Sequence, residues 1–146
     1  MPIYTVTRTS AALSTTNDLI TIVAGATKPL RIVVVDIKGL GTSSAANEVL
    51  MARSSGGVTP GGGITPRATN TGAASAAFSA YTTWGTQPSL GNDLWRFGVN
   101  ANGGQDKFVA VPGGEFSVPV TGQVSIRSVS GTSNVSIDLM IEEIDG

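Results

Sequence analysis

The stretch that decides the fold is residues 134–141, Asn-Val-Ser-Ile-Asp-Leu-Met-Ile. Its apolar side chains stand at every second position: Val135, Ile137, Leu139 and Ile141. The alternate positions hold Ser136, Asp138, Met140 and, just beyond, Glu142. A period of two places these sets on opposite sides of an extended chain, so the pattern predicts a half-buried β-strand with one face in a core.

The segment before this strand repeats the same period. Val124 and Ile126 alternate with Ser125 and Arg127, and the linker at 130–133, Ser-Gly-Thr-Ser, has turn chemistry. The pattern therefore predicts a β-hairpin over residues 122–144.

Shorter strands are predicted along the rest of the chain, at 3–8, 19–23, 30–38, 47–52, 76–83, 94–99, 107–111 and 115–120. Helix signals are weak, because the only candidate turns, at 43–48 and 71–77, consist mostly of small residues. About ten short strands bounded by turns indicate an all-β protein. We expect residues 1–146 to form a single β-sandwich domain, jelly-roll-like in topology.

Composition excludes several classes of function. The 146 residues include no cysteine and no histidine, which removes thiol nucleophiles, Cys-zinc sites and a Ser-His-Asp triad. The net charge is −1 and the basic residues are scattered, which is a poor match to nucleic acid or to an acidic membrane. We expect a soluble, non-enzymatic protein with no metal, no cofactor and no membrane-spanning segment.

The run Leu30–Lys38 is apolar on both sides. An unbroken strand would put Ile32 and Val34 on one face and Val33, Val35 and Ile37 on the other. Either this is a central strand, or a neighbouring subunit covers its second face. The second alternative predicts a homo-oligomer, with a trimer as the first expectation.

The least regular segment is the glycine-rich stretch at 54–72, whose only charged residue is Arg67. Gly61, Gly62 and Gly63 lack the lysine and the following helix of a phosphate-binding loop. A long structureless loop is unusual in a compact domain, so we expect it to be mobile or ordered by a partner. With the turn at 100–104, it gives the predicted protein-interface residues: Ile32, Val34, Gly61, Gly62, Gly63, Arg67, Asn100 and Asn102.

Three other groups of residues suggest chemistry. Asn100, Asn102 and Asp106 have a partial calcium-ligand spacing, although Asn and Gly also form ordinary turns. The acidic end at 142–145 is expected to be solvated or to pair with another subunit. A carboxylate-based hydrolase would need two acidic residues facing each other across a cleft. The two tryptophans are expected to be core or interface anchors, with Trp95 facing inward and Trp84 the better-exposed candidate for a sugar platform.

Several strings resemble small virion structural proteins of tailed bacteriophages, of the capsid decoration or cement type. They are Arg-Ile-Val-Val-Val at 31–35, Gly-Thr-Ser-Ser-Ala-Ala-Asn-Glu-Val at 41–49, Leu-Trp-Arg-Phe-Gly-Val-Asn-Ala-Asn-Gly at 94–103 and Gly-Thr-Ser-Asn-Val-Ser at 131–136. The resemblance implies a subunit made soluble in the host cytoplasm that assembles, often as a trimer, on the capsid surface and contacts the major capsid protein. The alternative is a carbohydrate- or receptor-binding module of a tail fibre or lectin-like protein.

Overall fold

A computed structural model describes residues 2–131 and 133–144, and these ranges contain strands and turns but no helix. The strands are Ile3–Ala12 (β1), Ile20–Val23 (β2), Leu30–Leu40 (β3), Ala46–Ser55 (β4), Val58–Gly61 (β5), Arg67–Ala68 (β6), Ser79–Tyr81 (β7), Thr83–Thr86 (β8), Ser89–Asn100 (β9), Asn102–Val109 (β10), Phe116–Val118 (β11), Gln123–Ser130 (β12) and Asn134–Glu143 (β13). The predicted all-β sandwich class is therefore confirmed.

Two antiparallel sheets face each other across one core. The front sheet has the order β10-β3-β13-β1-β6, with β11 continuing the edge of β10 alongside β3. The back sheet has the order β7-β2-β12-β4-β9. A single apolar cluster fills the space between them, with buried side chains from both sheets. Burial of this continuous apolar surface is the main force that holds the layers together.

The C-terminal strand matches the pattern that predicted it. Val135, Ile137, Leu139 and Ile141 are buried in the core. Strand β13 lies between β1 and β3, so it is central in the front sheet. Its apolar face packs inward and its polar face forms part of the outer surface.

The predicted hairpin over 122–144 is wrong. Strand β12 pairs with β2 and β4 in the back sheet, whereas β13 pairs with β1 and β3 in the front sheet. The connection between them therefore crosses from one sheet to the other, and Thr132 within it lies outside the described residues. Alternation reveals which face of a strand is buried but not which strand is its neighbour, so the pattern fits either arrangement.

A β-bulge corrects the predicted faces of the third strand. Met140 pairs with Val34 and Ile141 pairs with Ile32, which leaves Val33 as the extra residue. The bulge shifts the alternation, so Ile32 faces the core together with Val35, and Val34 faces outward. Fully buried Ile32 therefore does not reach the surface, whereas half-buried Val34 remains on the outer side of the strand.

Residues 56–88, here called the strap, connect the two sheets, because β6 pairs in the front sheet, β7 pairs in the back sheet, and β5 and β8 form a separate two-stranded sheet. In the strap, β5 pairs with β8, Ile64 bridges to Ala80 of β7, and β6 pairs with β1. The glycine-rich segment at 54–72 is therefore held by contacts within its own chain rather than standing free. These contacts are long-range pairings, which local composition does not reveal.

A buried polar network lies where the strap covers the back sheet. The carboxylate of Asp18 accepts hydrogen bonds from Thr21 and Ser125, each at 2.5 Å, and from the guanidinium of Arg127 at 2.5–2.8 Å. The strap joins the network through Trp84, whose Nε1 donates to Thr21 Oγ1 at 3.0 Å. A buried charge needs such partners, so the network fixes the strap in position.

The acidic C-terminal end is only partly solvated, contrary to expectation. Glu143 is fully buried, and its Oε2 accepts a hydrogen bond from the backbone N–H of Ala77 at 2.9 Å. Glu142 lies nearer the surface with Arg31 Nη1 at 3.5 Å, and Asp145 lies outside the described residues. The end of β13 therefore anchors the strap. Among the described residues, no helix has the length and hydropathy needed to cross a bilayer.

Candidate interaction surfaces

Three aromatic rings close one side of the sandwich, where β9 of the back sheet lies next to β10 and β11 of the front sheet. The ring of Trp95 lies 5.0 Å from that of Phe108 and 6.4 Å from that of Phe116, measured between centroids. Phe108 and Phe116 stack on each other at 4.8 Å. Trp95 remains 43% exposed because it covers the open side of the core rather than its interior.

An exposed valine, Val111, lies in the segment that links the two stacked phenylalanines and is 70% exposed. We call Trp95, Phe108, Val111 and Phe116 the apolar edge. Val109, which is 58% exposed, alternates with Phe108 and points to the outer face of the front sheet, where it pairs with Val34. Single exposed apolar residues are common on protein surfaces, but a contiguous group of them marks an interaction site.

Charged residues border the apolar edge on β9. Arg96 donates hydrogen bonds to Glu48 at 2.7 Å and to Asp93 at 2.8 Å. These hydrogen bonds, first that to Glu48 and then that to Asp93, raise the pKa of Arg96 above its ordinary value. Arg96 alternates with Trp95 on β9 and pairs with Leu50, so this group of charges points to the outer face of the back sheet.

The two tryptophans differ from expectation in their exposure. Trp95 shares the inward side of β9 with buried Phe97, as predicted, but its ring is largely open to solvent. Trp84 is only half-buried, yet its indole is engaged by Thr21 and its ring lies against Gly57. Trp84 is therefore part of the strap's packing and is not a free platform for a sugar.

A second candidate surface is the outer face of the front sheet. Directly paired residues on neighbouring antiparallel strands point to the same face, so pairing defines rows across the sheet. One row contains Arg67, Thr5, Met140, Val34 and Val109. The next contains Thr7, Asp138, Asp36 and Lys107.

These rows line a continuous shallow groove, here called the outer groove. Its main part is a cavity of about 350 Å³, lined by Thr5, Thr7, Val34, Asp36, Lys107, Asp138, Leu139 and Met140. A second cavity of about 250 Å³ shares Thr5 and Thr7 and extends to Ile64, Thr65 and Arg67. Together they run over the sheet from β10 to β6.

Two carboxylates stand side by side in the outer groove. Asp36 pairs directly with Asp138 across β3 and β13, which places their Cβ atoms roughly 4.5–5.5 Å apart. Asp36 Oδ1 accepts a hydrogen bond from Gln105 Nε2 at 2.8 Å, and its Oδ2 lies 4.0 Å from Lys38 Nζ. Both carboxylates rise from one face of the sheet. Ionised carboxylates accept hydrogen bonds, so the pair can bind hydroxyl groups of a ligand.

The predicted interface residues do not form one site. Val34 and Arg67 lie on the outer groove, and Ile32 lies in the core. Gly61 pairs with Thr83 in the strap, and Thr82 Oγ1 donates to the backbone oxygen of Gly62. Gly63 continues the strap, whereas Asn100 and Asn102 lie at the connection between β9 and β10.

The possible calcium ligands are occupied by turn contacts. Asn100 Oδ1 accepts a hydrogen bond from the backbone N–H of Asn102 at 2.9 Å, and its Nδ2 donates to Ser44. Asp106 Oδ2 accepts from the backbone N–H of Gly98. Across residues 2–131 and 133–144, no group of three or more Asp and Glu residues is arranged to hold a metal ion.

Sequence reasoning missed Asp36, Asp138 and Lys107 as a group. Each occupies an outward position of a strand, and the outward direction of Asp138 was predicted from alternation. Their proximity follows from the register of β13, β3 and β10, which joins distant parts of the chain. The only sequence signal for this group was that Asp36 and Asp138 each occupy an outward position of a central strand, β3 and β13.

No family model, curated protein or solved structure matches the chain.

Proposed function

We propose that the chain is a non-enzymatic assembly subunit, and specifically a decoration or cement protein of a tailed-phage capsid. The resemblance to capsid decoration proteins is the reason for proposing a phage capsid as the particle that the chain binds. The observation that carries the proposal is the apolar edge, where Trp95 and Val111 hold apolar surface open to solvent. Burial of such surface against another chain stabilises an assembly.

The strand order supports a jelly-roll interpretation of the sandwich. Four strands in the order β1-β13-β3-β10 face four in the order β2-β12-β4-β9. The chain alternates between the two sheets from β1 to β4 and again from β11 to β13. Jelly rolls occur in viral capsid proteins as well as in lectins, so the fold agrees with the proposal without selecting it alone.

The proposed arrangement has two kinds of contact. Copies of the chain join through the apolar edge, with a trimer as the expected closed form. The oligomer then binds the major capsid protein, and several weak contacts made together hold it on the particle. Arg67 and the connection containing Asn100 and Asn102 are the proposed capsid contacts.

The test is co-sedimentation of the protein with capsids purified from the phage that encodes it. The wild-type protein should bind until its sites are saturated. Val111→Ser should lower the apparent affinity by about tenfold or more, because a weakened oligomer loses multivalent binding. Val58→Ser is the matched control, since Val58 is also an exposed valine, 59% against 70% for Val111, and lies on the strap away from the apolar edge.

Point substitutions are preferable to deletion of the glycine-rich segment. Gly57 lies against Trp84 and Gly61 pairs with Thr83, so removal of residues 56–63 would disrupt the strap itself. The absence of any capsid binding by the wild-type protein would overturn the decoration proposal. If Val111→Ser and Val58→Ser bound capsids equally well, the apolar edge would not be the surface through which the chain assembles.

A further inference from the structure

We propose that the outer groove binds a neutral oligosaccharide. This is a second binding function, separate from assembly through the apolar edge. It also differs from the sugar site expected at Trp84, because the strap engages that side chain. The inference rests on the kinds of atoms that the groove presents and on their order across the sheet.

Hydrogen-bond acceptors stand at the centre of the groove. Asp36 and Asp138 are adjacent, and their paired positions orient both carboxylates outward. Asp138 has no ion-pair partner among the residues that the structure describes. Like charges placed directly opposite each other are unfavourable in a sheet. Two neighbouring hydroxyl groups of a sugar would donate to the pair and stabilise it through charge-assisted hydrogen bonds.

Hydrogen-bond donors stand at the two ends of the groove. Lys107 is paired with Asp36 on the outer strand β10, and Arg67 is paired with Thr5 on β6 at the other edge. The hydroxyl groups of Thr5 and Thr7 lie between them and both donate and accept. Sugar hydroxyls need both functions from their partners, and the groove supplies both along its length.

The charges at the groove nearly cancel. Asp36 and Asp138 contribute two negative charges, Lys107 and Arg67 contribute two positive charges, and Lys38, 4.0 Å from Asp36 Oδ2, adds one positive charge beside them. A ligand that carries net charge gains little from such a balanced field, whereas a strongly basic or acidic partner requires a field of one sign. The balance therefore favours a neutral, hydroxyl-rich ligand over a charged peptide or nucleic acid.

The floor of the groove is apolar between these polar groups. Val34 and Met140 are adjacent in the row beside the two carboxylates, and both are half-buried. The faces of a pyranose ring carry C–H groups, which pack against aliphatic side chains, while its hydroxyls project from the rim. The main cavity of about 350 Å³ exceeds the lower limit of small-molecule sites, and the second cavity of about 250 Å³ continues from it past Thr5 and Thr7.

The experiment uses an array of neutral and anionic oligosaccharides, followed by titration calorimetry with the neutral glycan that binds best. We expect binding to neutral glycans. Asp138→Ala should lower the affinity by about tenfold or more, because a charge-assisted hydrogen bond is lost. Asp93→Ala is the control, since Asp93 is an exposed carboxylate on β9.

The outcomes separate this proposal from the assembly proposal. In calorimetry with a soluble glycan, where multivalency plays no part, Trp95→Ala should leave the affinity of each groove unchanged, because Trp95 lies on the apolar edge and not in the groove. The proposal fails if no neutral glycan binds, if only anionic glycans bind, or if Asp138→Ala binds as well as the wild-type protein. Capsid binding can persist in each of these cases, so failure here does not imply failure of the assembly proposal.

Discussion

Asp18 forms hydrogen bonds with three parts of the fold, namely strands β2 and β12 and the strap. Its side chain joins β2 and β12 through Thr21, Ser125 and Arg127, and its backbone N–H donates to Gln87 of the strap. The Asp18 side chain is fully buried, whereas that of Arg127 is 14% exposed. Loss of one partner from a buried pair leaves the other charge without compensation, which is why such pairs resist substitution.

Asp18→Asn should therefore destabilise the protein by about 3 kcal/mol. Asp93→Asn removes a carboxylate from the exposed contact with Arg96 and should cost far less stability, because solvent screens exposed ion pairs. The measurement is urea unfolding of both variants and of the wild-type protein. Similar losses for the two substitutions would contradict the importance assigned to burial of Asp18.

Alternation at single residues predicted burial well in the C-terminal strand and failed at two places. At Val33 a bulge reverses the alternation, and nothing in a run of valines marks where the extra residue falls. At Trp95 the direction of the side chain was predicted correctly, but its exposure depends on its position at the open side of the sandwich. Direction is a local property of a strand, whereas exposure depends on the neighbouring sheet.

At the scale of elements, the strap is the least predictable part of the fold. Its strand Val58–Gly61 contains Pro60, and proline is depleted in strands and tolerated mainly at the edges of sheets. The segment is ordered instead by its pairing with β8 and by the packing of Gly57 under Trp84. The longer strands were predicted from period alone, because burial on one face imposes the pattern.

Two neighbouring glycines provide a test of the strap. Gly56 and Gly57 have φ values of 75° and 90°, so alanine at either position is strained by about 1 kcal/mol. A Cβ at Gly57 would lie 2.7 Å from the Trp84 ring, whereas a Cβ at Gly56 meets no atom within 4 Å. Gly57→Ala should therefore cost roughly 1–3 kcal/mol more than Gly56→Ala, which is the usual cost of overpacking.

The measurement is urea unfolding, with tryptophan fluorescence as the probe because Trp84 would be displaced directly. Equal losses for the two variants would mean that the ring does not pack on Gly57. In that case the glycine-rich segment would not be held in place by packing of Gly57 against Trp84.

At the scale of the whole molecule, the candidate surfaces lie on different parts of the sandwich. The apolar edge joins the front and back sheets at β9, β10 and β11, and the outer groove crosses the front sheet from β10 to β6. The fold class was predictable because it depends on the number and period of strands. Neither surface was predictable in full, because each depends on which strands become neighbours, and pairing over long distances in the chain leaves little local signal.

Self-association is the property that the apolar edge should control. Trp95 is the largest exposed side chain of this edge, and large aromatic residues contribute most to interface stability. The wild-type protein at micromolar concentration should therefore sediment at about three times the chain mass of 14.8 kDa. Trp95→Ala should sediment as a monomer, because the exposed ring is the main apolar anchor. Trp84→Phe is the control, since it alters a tryptophan in the strap and should keep the wild-type mass. A monomeric wild-type protein would refute self-association, and a Trp95→Ala variant that kept the higher mass would place the contact elsewhere on the surface.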